Sequence, residues 1–263
     1  MKNSLITFLV SLISVSISAQ EPMIVAHRGA SKDAPENTLP AFRLAWEQGA
    51  DAIEGDFHQT RDGRIVCIHD KDTKKVSDKN LLISDSTLAE LRQLDVGAYH
   101  GSAFRGTVIP TIAEVFSIVP DQKKIFIEIK SDETIIPILL NEIKKSDLKL
   151  EQIVVISFNA KVIQTLKSKA PQYKASWLSG FKTDDTGEIM PTLESVLKTL
   201  KEIKAEGFSS HSDIPRPFIK GIEEHGYEWH VWTVDDLNAA RRFKKWGAKS
   251  ITTNVPEHIK KNL

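Results

Sequence analysis

Residues 23–60 constrain the fold of this chain more than any other stretch, because they read as strand, helix and strand in immediate succession. MIVAH is an apolar run of strand length, Leu39, Phe42 and Ala45 recur at helical spacing, and AIEGDFHQT follows as a second strand. Asn37 is placed to cap the helix, Pro40 sits in its first turn, where a missing N–H costs nothing, and Gly49 can end it. Two strands joined through a helix lie parallel with a right-handed crossover, so the unit seeds a parallel sheet whose faces are covered by helices.

The alternation continues along the chain. Further strands are expected at 64–69, 124–130, 152–158, 173–178, 206–210, 227–234 and 249–253, with helices at 111–118, 134–146, 160–169, 192–204, 217–226 and 235–246. Eight main strands in 263 residues favour closure into an α/β (β/α)₈ TIM barrel over an open doubly wound sheet. Residues 70–110 break the pattern: they are polar, with one short helix signalled by a Thr87/Glu90 capping box and by Leu88, Leu91 and Leu94. They read as an insertion at the barrel mouth, able to wall a pocket. With no Gly-, Pro- or Ser-rich linker, no repeat and no low-complexity tract, residues 20–263 read as one domain.

Charge excludes some partners. Lys plus Arg (35) balance Asp plus Glu (35), so no overall field recruits nucleic acid or anionic lipid, and any anion binding must be local. Residues 1–19 carry Lys2, an uncharged Leu/Ile/Val/Ser run, and the small Ser18 and Ala19, which reads as a signal peptide cut near Ala19 or Gln20. A membrane anchor is the competing reading, but the run is shorter and richer in serine than the roughly 20 apolar residues that cross hydrocarbon. Cys67 is the only cysteine, which excludes an intramolecular disulfide and leaves a lipidated signal without its thiol. A periplasmic or secreted protein with no stable membrane insertion is expected.

The chemistry-bearing residues gather where strands end. Glu54 and Asp56, two apart, share one face with Ala52 and His58, while Ile53, Gly55 and Phe57 take the other. IFIEIK repeats the device, with Glu128 and Lys130 opposite Ile125, Ile127 and Ile129. Either pair could be a solvated edge, and Glu128 could simply pair with Lys130. Helices cover the outside of a parallel barrel, however, so charged strand positions must look into it or its mouth. Three carboxylates with no cysteine nearby form a hard oxygen site suited to one divalent cation, Mg²⁺ or Ca²⁺, more than to Zn²⁺. His27 and His69 each close an apolar run, where a lone histidine is most simply a hydrogen-bonded structural residue. Beside Arg28, whose planar fork suits phosphate oxygens, two histidines supply the parts for displacement at phosphorus: one to activate the nucleophile, one to protonate the leaving oxygen. Trp232 shares a strand face with His230 and either packs or stacks on a small apolar part of a substrate. Cys67, in IVCI, reads as core.

AHRG at 26–29, PENT at 35–38, GADAIEGDFHQTRDGRIVCIHD at 49–70, IPT at 109–111, IEIK at 127–130 and VWTV at 231–234 occur in this order. Together they resemble the glycerophosphodiester phosphodiesterase family over nearly all of the mature chain. The resemblance implies a (β/α)₈ barrel with a small insertion after the second strand. It also implies a divalent metal on Glu54, Asp56 and Glu128, acid/base histidines at His27 and His69, phosphate contacts from Arg28 and Lys130, a substrate contact from Trp232, and a mouth ordered by Glu36 and Asn37. The implied reaction is hydrolysis of a small-molecule glycerophosphodiester to sn-glycerol 3-phosphate and an alcohol, with His27 taken as base and His69 as acid, an order that could be swapped. Two rival expectations are a phospholipase D-like activity on lysophospholipid or sphingomyelin, and an exported, non-catalytic phosphodiester-binding protein. One departure stands out: where members often close the last strand with Thr-Asp followed by a proline, this chain has Thr253, Asn254, Val255 and Pro256. That change is expected to alter loop anchoring and leave the metal and acid/base groups intact.

Overall fold

The computed structural model describes residues 21–263 other than 184, 186 and 188, so the expected signal peptide at 1–19 lies outside the described residues. In chain order the strands are β1 (Met23–His27), β2 (Ala52–Gln59), β3 (Ile65–Cys67), β4 (Lys124–Ile129), β5 (Ile153–Ser157), β6 (Lys174–Ser179), the two-residue β7 (Lys182–Thr183) and β8 (Ile189–Met190), β9 (Gly207–His211), β10 (Glu228–Trp232) and β11 (Ser250–Thr253). Eight of them, β1, β2, β4, β5, β6, β9, β10 and β11, pair in parallel around a closed circuit, because β1 bonds both to β2 and to β11. The expected TIM barrel is therefore the fold. β3 runs antiparallel against the end of β2, with Phe57 opposite Cys67 and Gln59 opposite Ile65, and β7 pairs only with β8.

The helices are α1 (Leu39–Glu47), α2 (Leu88–Leu91), α3 (Ile112–Phe116), α4 (Ile136–Lys145), α5 (Ala160–Lys169), α6 (Leu193–Ile203), α7 (Arg216–Glu224), α8 (Leu237–Trp246) and α9 (Pro256–Asn262). Period-2 alternation divides the apolar residues into two layers. Ile53, Phe57, Ile125, Ile127 and Ile129 point outward and pack under the helices, while Val25, Ala52, Phe126, Val154, Ile156 and Leu178 fill the barrel. The segment between β3 and α3 has a small core of its own, in which Val76, Ile83, Leu91 and Leu94 pack against Val66 and Ile109. Its helix α2 carries the expected capping box: the Thr87 N–H donates to Glu90 Oε2 at 2.7 Å, and the Thr87 side chain takes the Glu90 N–H.

Two local expectations fail. Thr38, not Asn37, caps α1, accepting from the Ala41 N–H, and Asn37 adopts a left-handed backbone, φ +59°. Asparagine tolerates that conformation, and its amide is drawn instead to the β2 backbone and to Asp56, as described below. Helix α9 has no counterpart in the expected element list. It is short and mostly polar, so its one buried aliphatic residue, Ile259, produces no periodicity, and tertiary contacts hold it: Lys260 pairs with Asp51 at 2.7 Å.

The turn out of β1 depends on backbone conformation. Arg28 and Gly29 both have positive φ, +57° and +82°. A Cβ on Gly29 would lie 2.6 Å from the Ala41 carbonyl carbon, whereas Gly63, at φ +71°, has nothing within 4 Å of that position. Gly63→Ala should therefore cost only the left-handed penalty of about 1–2 kcal/mol, and Gly29→Ala should cost clearly more, because helix α1 must move. Urea unfolding midpoints of the two variants test this; equal losses would contradict it.

The start of α3 makes folding sensitive to acid. Burial works against the charge of Glu114, but the Arg92 guanidinium and the N–H and hydroxyl of Thr111 outweigh it and bring the pKa down to about 2. A carboxyl depressed in the folded state stabilises folding fully above its unfolded value of about 4.5, and that contribution is lost as pH falls toward 2. Glu114→Gln should therefore lower the thermal midpoint at pH 6 and flatten its decline between pH 4.5 and 2; parallel curves for the two proteins would contradict this.

Candidate active site at the carboxyl ends of the strands

Side chains at the carboxyl end of a (β/α)₈ barrel project into a shared mouth from rigid supports. His27 ends β1, Glu54 and Asp56 lie in β2, Glu128 is the penultimate residue of β4, and Trp232 ends β10. Strand register does the rest: His27 stands level with Glu54, and Asp56 with Glu128. Carboxylate oxygens of Glu54, Asp56 and Glu128 all come within 4.8 Å of one another. The three acids are buried, with the residues 3 %, 1 % and 9 % exposed respectively.

Three buried acids so close cannot all ionise without compensation. Burial, with Asp56 and Glu128 adding to it, pushes the Glu54 carboxyl well above its usual range. Burial and then Asp56 push Glu128 up to about 7, against the pull of Lys130. Asp56 goes the other way: burial opposes its charge, but Arg28, Lys130, His69 and the Asn37 amide together hold it below the ordinary value. The compensating cations are close, with Arg28 Nε 3.2 Å from Asp56 Oδ2 and Lys130 Nζ 2.8 Å from Glu128 Oε1 and 3.5 Å from Asp56 Oδ1. Within this cluster Glu54 Oε1 is buried without a hydrogen-bond partner, while Oε2 accepts the Arg28 N–H at 2.9 Å. An orphaned carboxylate oxygen inside an all-oxygen cluster fits a hard divalent cation such as Mg²⁺ or Ca²⁺.

Every site residue expected from sequence lies around this point. His27, Arg28, Glu54, His69, Glu128, Lys130 and Trp232 line one cavity of about 140 Å³, and Asp56 lies against Arg28 and Lys130 beside it. The far wall is apolar, made by Phe126, Ile156, Phe158 and Leu178. Phe158, 47 % exposed, meets Trp232 edge to face at 5.5 Å, so the two rings form a lip on that side. His230 lies deeper in the same wall, 5 % exposed, its Nδ1 2.8 Å from Ser250 Oγ. Burial, and then Asp56 and Glu54, push the Cys67 thiol well up, so it remains a protonated core residue.

Supporting residues hold these groups, among them Glu36 and Asn37, which the sequence resemblance places at the mouth. The Asn37 side chain brackets Asp56: Nδ2 donates to Oδ2 at 2.8 Å, and Oδ1 accepts the Asp56 N–H at 3.0 Å and the Cys67 thiol at 3.2 Å. Glu36 bonds to Arg28 at 3.1 Å and to Lys75 of the inserted segment at 2.8 Å, which ties that segment to the mouth. His69 Nδ1 lies 2.7 Å from Asp70 Oδ1. His27 Nδ1 lies 2.8 Å from Asn254 Oδ1. Sequence reading assigned position 254 to loop anchoring alone, and that is incomplete. Asn254 does anchor the loop, through Asp235, but it also touches His27. Only closure of the barrel brings residue 254 beside residue 27, and no local pattern signals it.

The sequence model of the glycerophosphoryl diester phosphodiesterase family matches residues 27–258. The chain is similar to a glycerophosphodiester phosphodiesterase of Caldanaerobacter subterraneus subsp. tengcongensis, 33% identical over 245 residues that cover 90% of this chain and 96% of that relative. One from Bacillus subtilis is 25% identical over 274 residues, 96% and 92% of the two chains. Among solved structures, a phosphodiesterase from Oleispira antarctica in complex with the product sn-glycerol-3-phosphate superposes with a TM-score of 0.81 at 25% identity, covering 92% of this chain and 96% of that one. A glycerophosphodiester phosphodiesterase from Thermotoga maritima gives 0.73 at 25% identity, with 92% and 98% covered. The family model spans the barrel from its first strand into its last helix, and the relatives match along nearly their whole length, so this chain is an enzyme of the glycerophosphoryl diester phosphodiesterase family.

Proposed function

We propose that this enzyme hydrolyses small, water-soluble glycerophosphodiesters to sn-glycerol 3-phosphate and an alcohol, using one divalent cation and two histidines. The observation that carries this reading is the convergence of Glu54, Asp56 and Glu128 within 4.8 Å, beside a cavity lined by His27, His69, Arg28 and Lys130. The relative from Oleispira antarctica, with sn-glycerol-3-phosphate bound, supports the substrate class. A bound Mg²⁺ or Ca²⁺ on the three carboxylates would neutralise charge on the phosphate and its entering oxygen.

This chain's own residues do the remainder. Arg28 and Lys130 face the phosphate oxygens as fixed cations. One histidine takes the proton of the attacking hydroxyl as its oxygen bonds to phosphorus: attack by water gives sn-glycerol 3-phosphate directly, and attack by the substrate's own glycerol hydroxyl gives a cyclic phosphate that a second attack, by water, opens to the same product. The other gives a proton to the alcohol oxygen as its bond to phosphorus breaks. Trp232 and Phe158 offer apolar surface to the carbon skeleton.

The lining of the cavity favours a soluble diester over a lysolipid or sphingomyelin: six of its residues, His27, Arg28, Glu54, His69, Glu128 and Lys130, are charged or titratable, and Phe126, Ile156, Phe158 and Leu178 make one side apolar. Among the described residues no helix is long and apolar enough to cross a membrane. Export remains part of the proposal on the pattern of residues 1–19 alone.

His27→Ala and His69→Ala should each lower kcat on glycerophosphocholine by about 100-fold or more while the circular dichroism and melting temperature stay near wild type. Near-normal turnover in both would overturn the acid/base reading. Thorough chelation should abolish turnover, with recovery on adding Mg²⁺ or Ca²⁺; activity that survives chelation would overturn the metal part.

A further inference from the structure

The two histidines differ in what holds them. Asn254 is pinned from its far side: Asp235 Oδ1 accepts the Asn254 backbone N–H at 2.8 Å and the Thr253 hydroxyl at 2.9 Å, and Asn254 Nδ2 lies 2.7 Å from Asp235 Oδ2. The opposite amide orientation would set a carbonyl oxygen against that carboxylate, so Nδ2 must face Asp235. The Asn254 carbonyl oxygen therefore points the other way, 2.9 Å from Ser31 Oγ and 2.8 Å from His27 Nδ1. A carbonyl only accepts, so the proton on a neutral His27 ring sits on Nδ1, and Nε2 carries the lone pair on a ring that lines the cavity. His69 Nδ1 instead faces a carboxylate, 2.7 Å from Asp70 Oδ1. Asn254 offers His27 a dipole and no charge.

We propose that Asn254, oriented by Asp235, is a positioning residue that holds His27 in its Nδ1–H form, which makes His27 the general base and leaves His69 as the acid. This rests on the hydrolytic reading above and specifies how its two histidines divide the work. Burial and the neighbouring Arg28 lower the proton affinity of His27, against the Asn254 hydrogen bond. The logic is that of any imidazole base whose tautomer is set by the partner of its other nitrogen. Here a neutral amide takes that place and passes the orienting charge of Asp235 through one intervening group.

Two readouts separate this from a purely structural role. In ¹⁵N-histidine NMR of the wild-type chain, His27 should show a protonated Nδ1 and an unprotonated Nε2 at neutral pH. Asn254→Leu should lower kcat on glycerophosphocholine about 10- to 100-fold with KM within about 2-fold. A diester whose leaving group is p-nitrophenol needs no acid, so the loss in Asn254→Leu should persist on glycerophospho-p-nitrophenol, while the loss in His69→Ala should shrink at least about 10-fold.

A His27 Nε2 that carries the proton would overturn the proposal, as would an Asn254→Leu defect that vanishes with the p-nitrophenyl substrate. If NMR gives the expected tautomer but the wild-type chain turns over no glycerophosphodiester, the hydrolytic reading and the base assignment fall together, and only the orienting role of Asn254 stands.

Discussion

Mutual repulsion among Glu54, Asp56 and Glu128 is the constraint around which the rest of this molecule is arranged. Each is almost wholly removed from water, and unpaired charge in such a place is costly enough to drive protonation. The barrel holds them there because neighbouring strands β2 and β4 are in register, and because the helices outside leave charged strand positions nowhere else to point. The chain offsets the repulsion with Arg28 and Lys130 and with the Asn37 amide, and the remaining strain shows as raised proton affinities at Glu54 and Glu128. None of these meets Glu54 Oε1. A divalent cation would meet it and relieve all three acids together, which is why the same arrangement that looks unfavourable for stability looks purposeful for phosphate chemistry.

Support for the site is built outward in layers. Below it, Val25, Phe126, Val154, Ile156 and Leu178 fill the barrel and keep the polar residues at its rim. Beside it, the positive-φ turn at Arg28 and Gly29 lets the chain pass hard against helix α1 while the Arg28 N–H reaches Glu54. Asn37 fixes Asp56, Glu36 ties Arg28 to the inserted segment, and Asn254 fixes His27. Substitutions far from phosphorus are therefore expected to act by moving a reacting group a fraction of an ångström, the sensitivity that preorganised sites share.

The architecture was legible from sequence because it rests on local pattern. The inward and outward alternation at Ile53, Glu54, Gly55, Asp56 and Phe57 is visible in five residues, and the helices between strands show their own period. The candidate site was legible for the same reason, since its acids and histidines sit on strands whose faces can be counted. Features decided by closure were not. Asn37 looked like a cap because only the folded barrel brings Asp56 to it. Asn254 looked like a loop anchor because 227 positions separate it from His27. Helix α9 has too little apolar periodicity to announce itself and is held by docking on the rim beside β1.

The most direct measurement is a calorimetric titration of the purified, chelator-stripped chain with Mg²⁺ and with Ca²⁺, repeated on Asp56→Asn and Glu128→Gln after confirming that both remain folded. The carboxylate cluster predicts one ion bound per chain by wild type and binding weakened at least about 10-fold in each variant. A folded wild-type chain that binds neither ion, or variants that bind as well as wild type, would contradict the account.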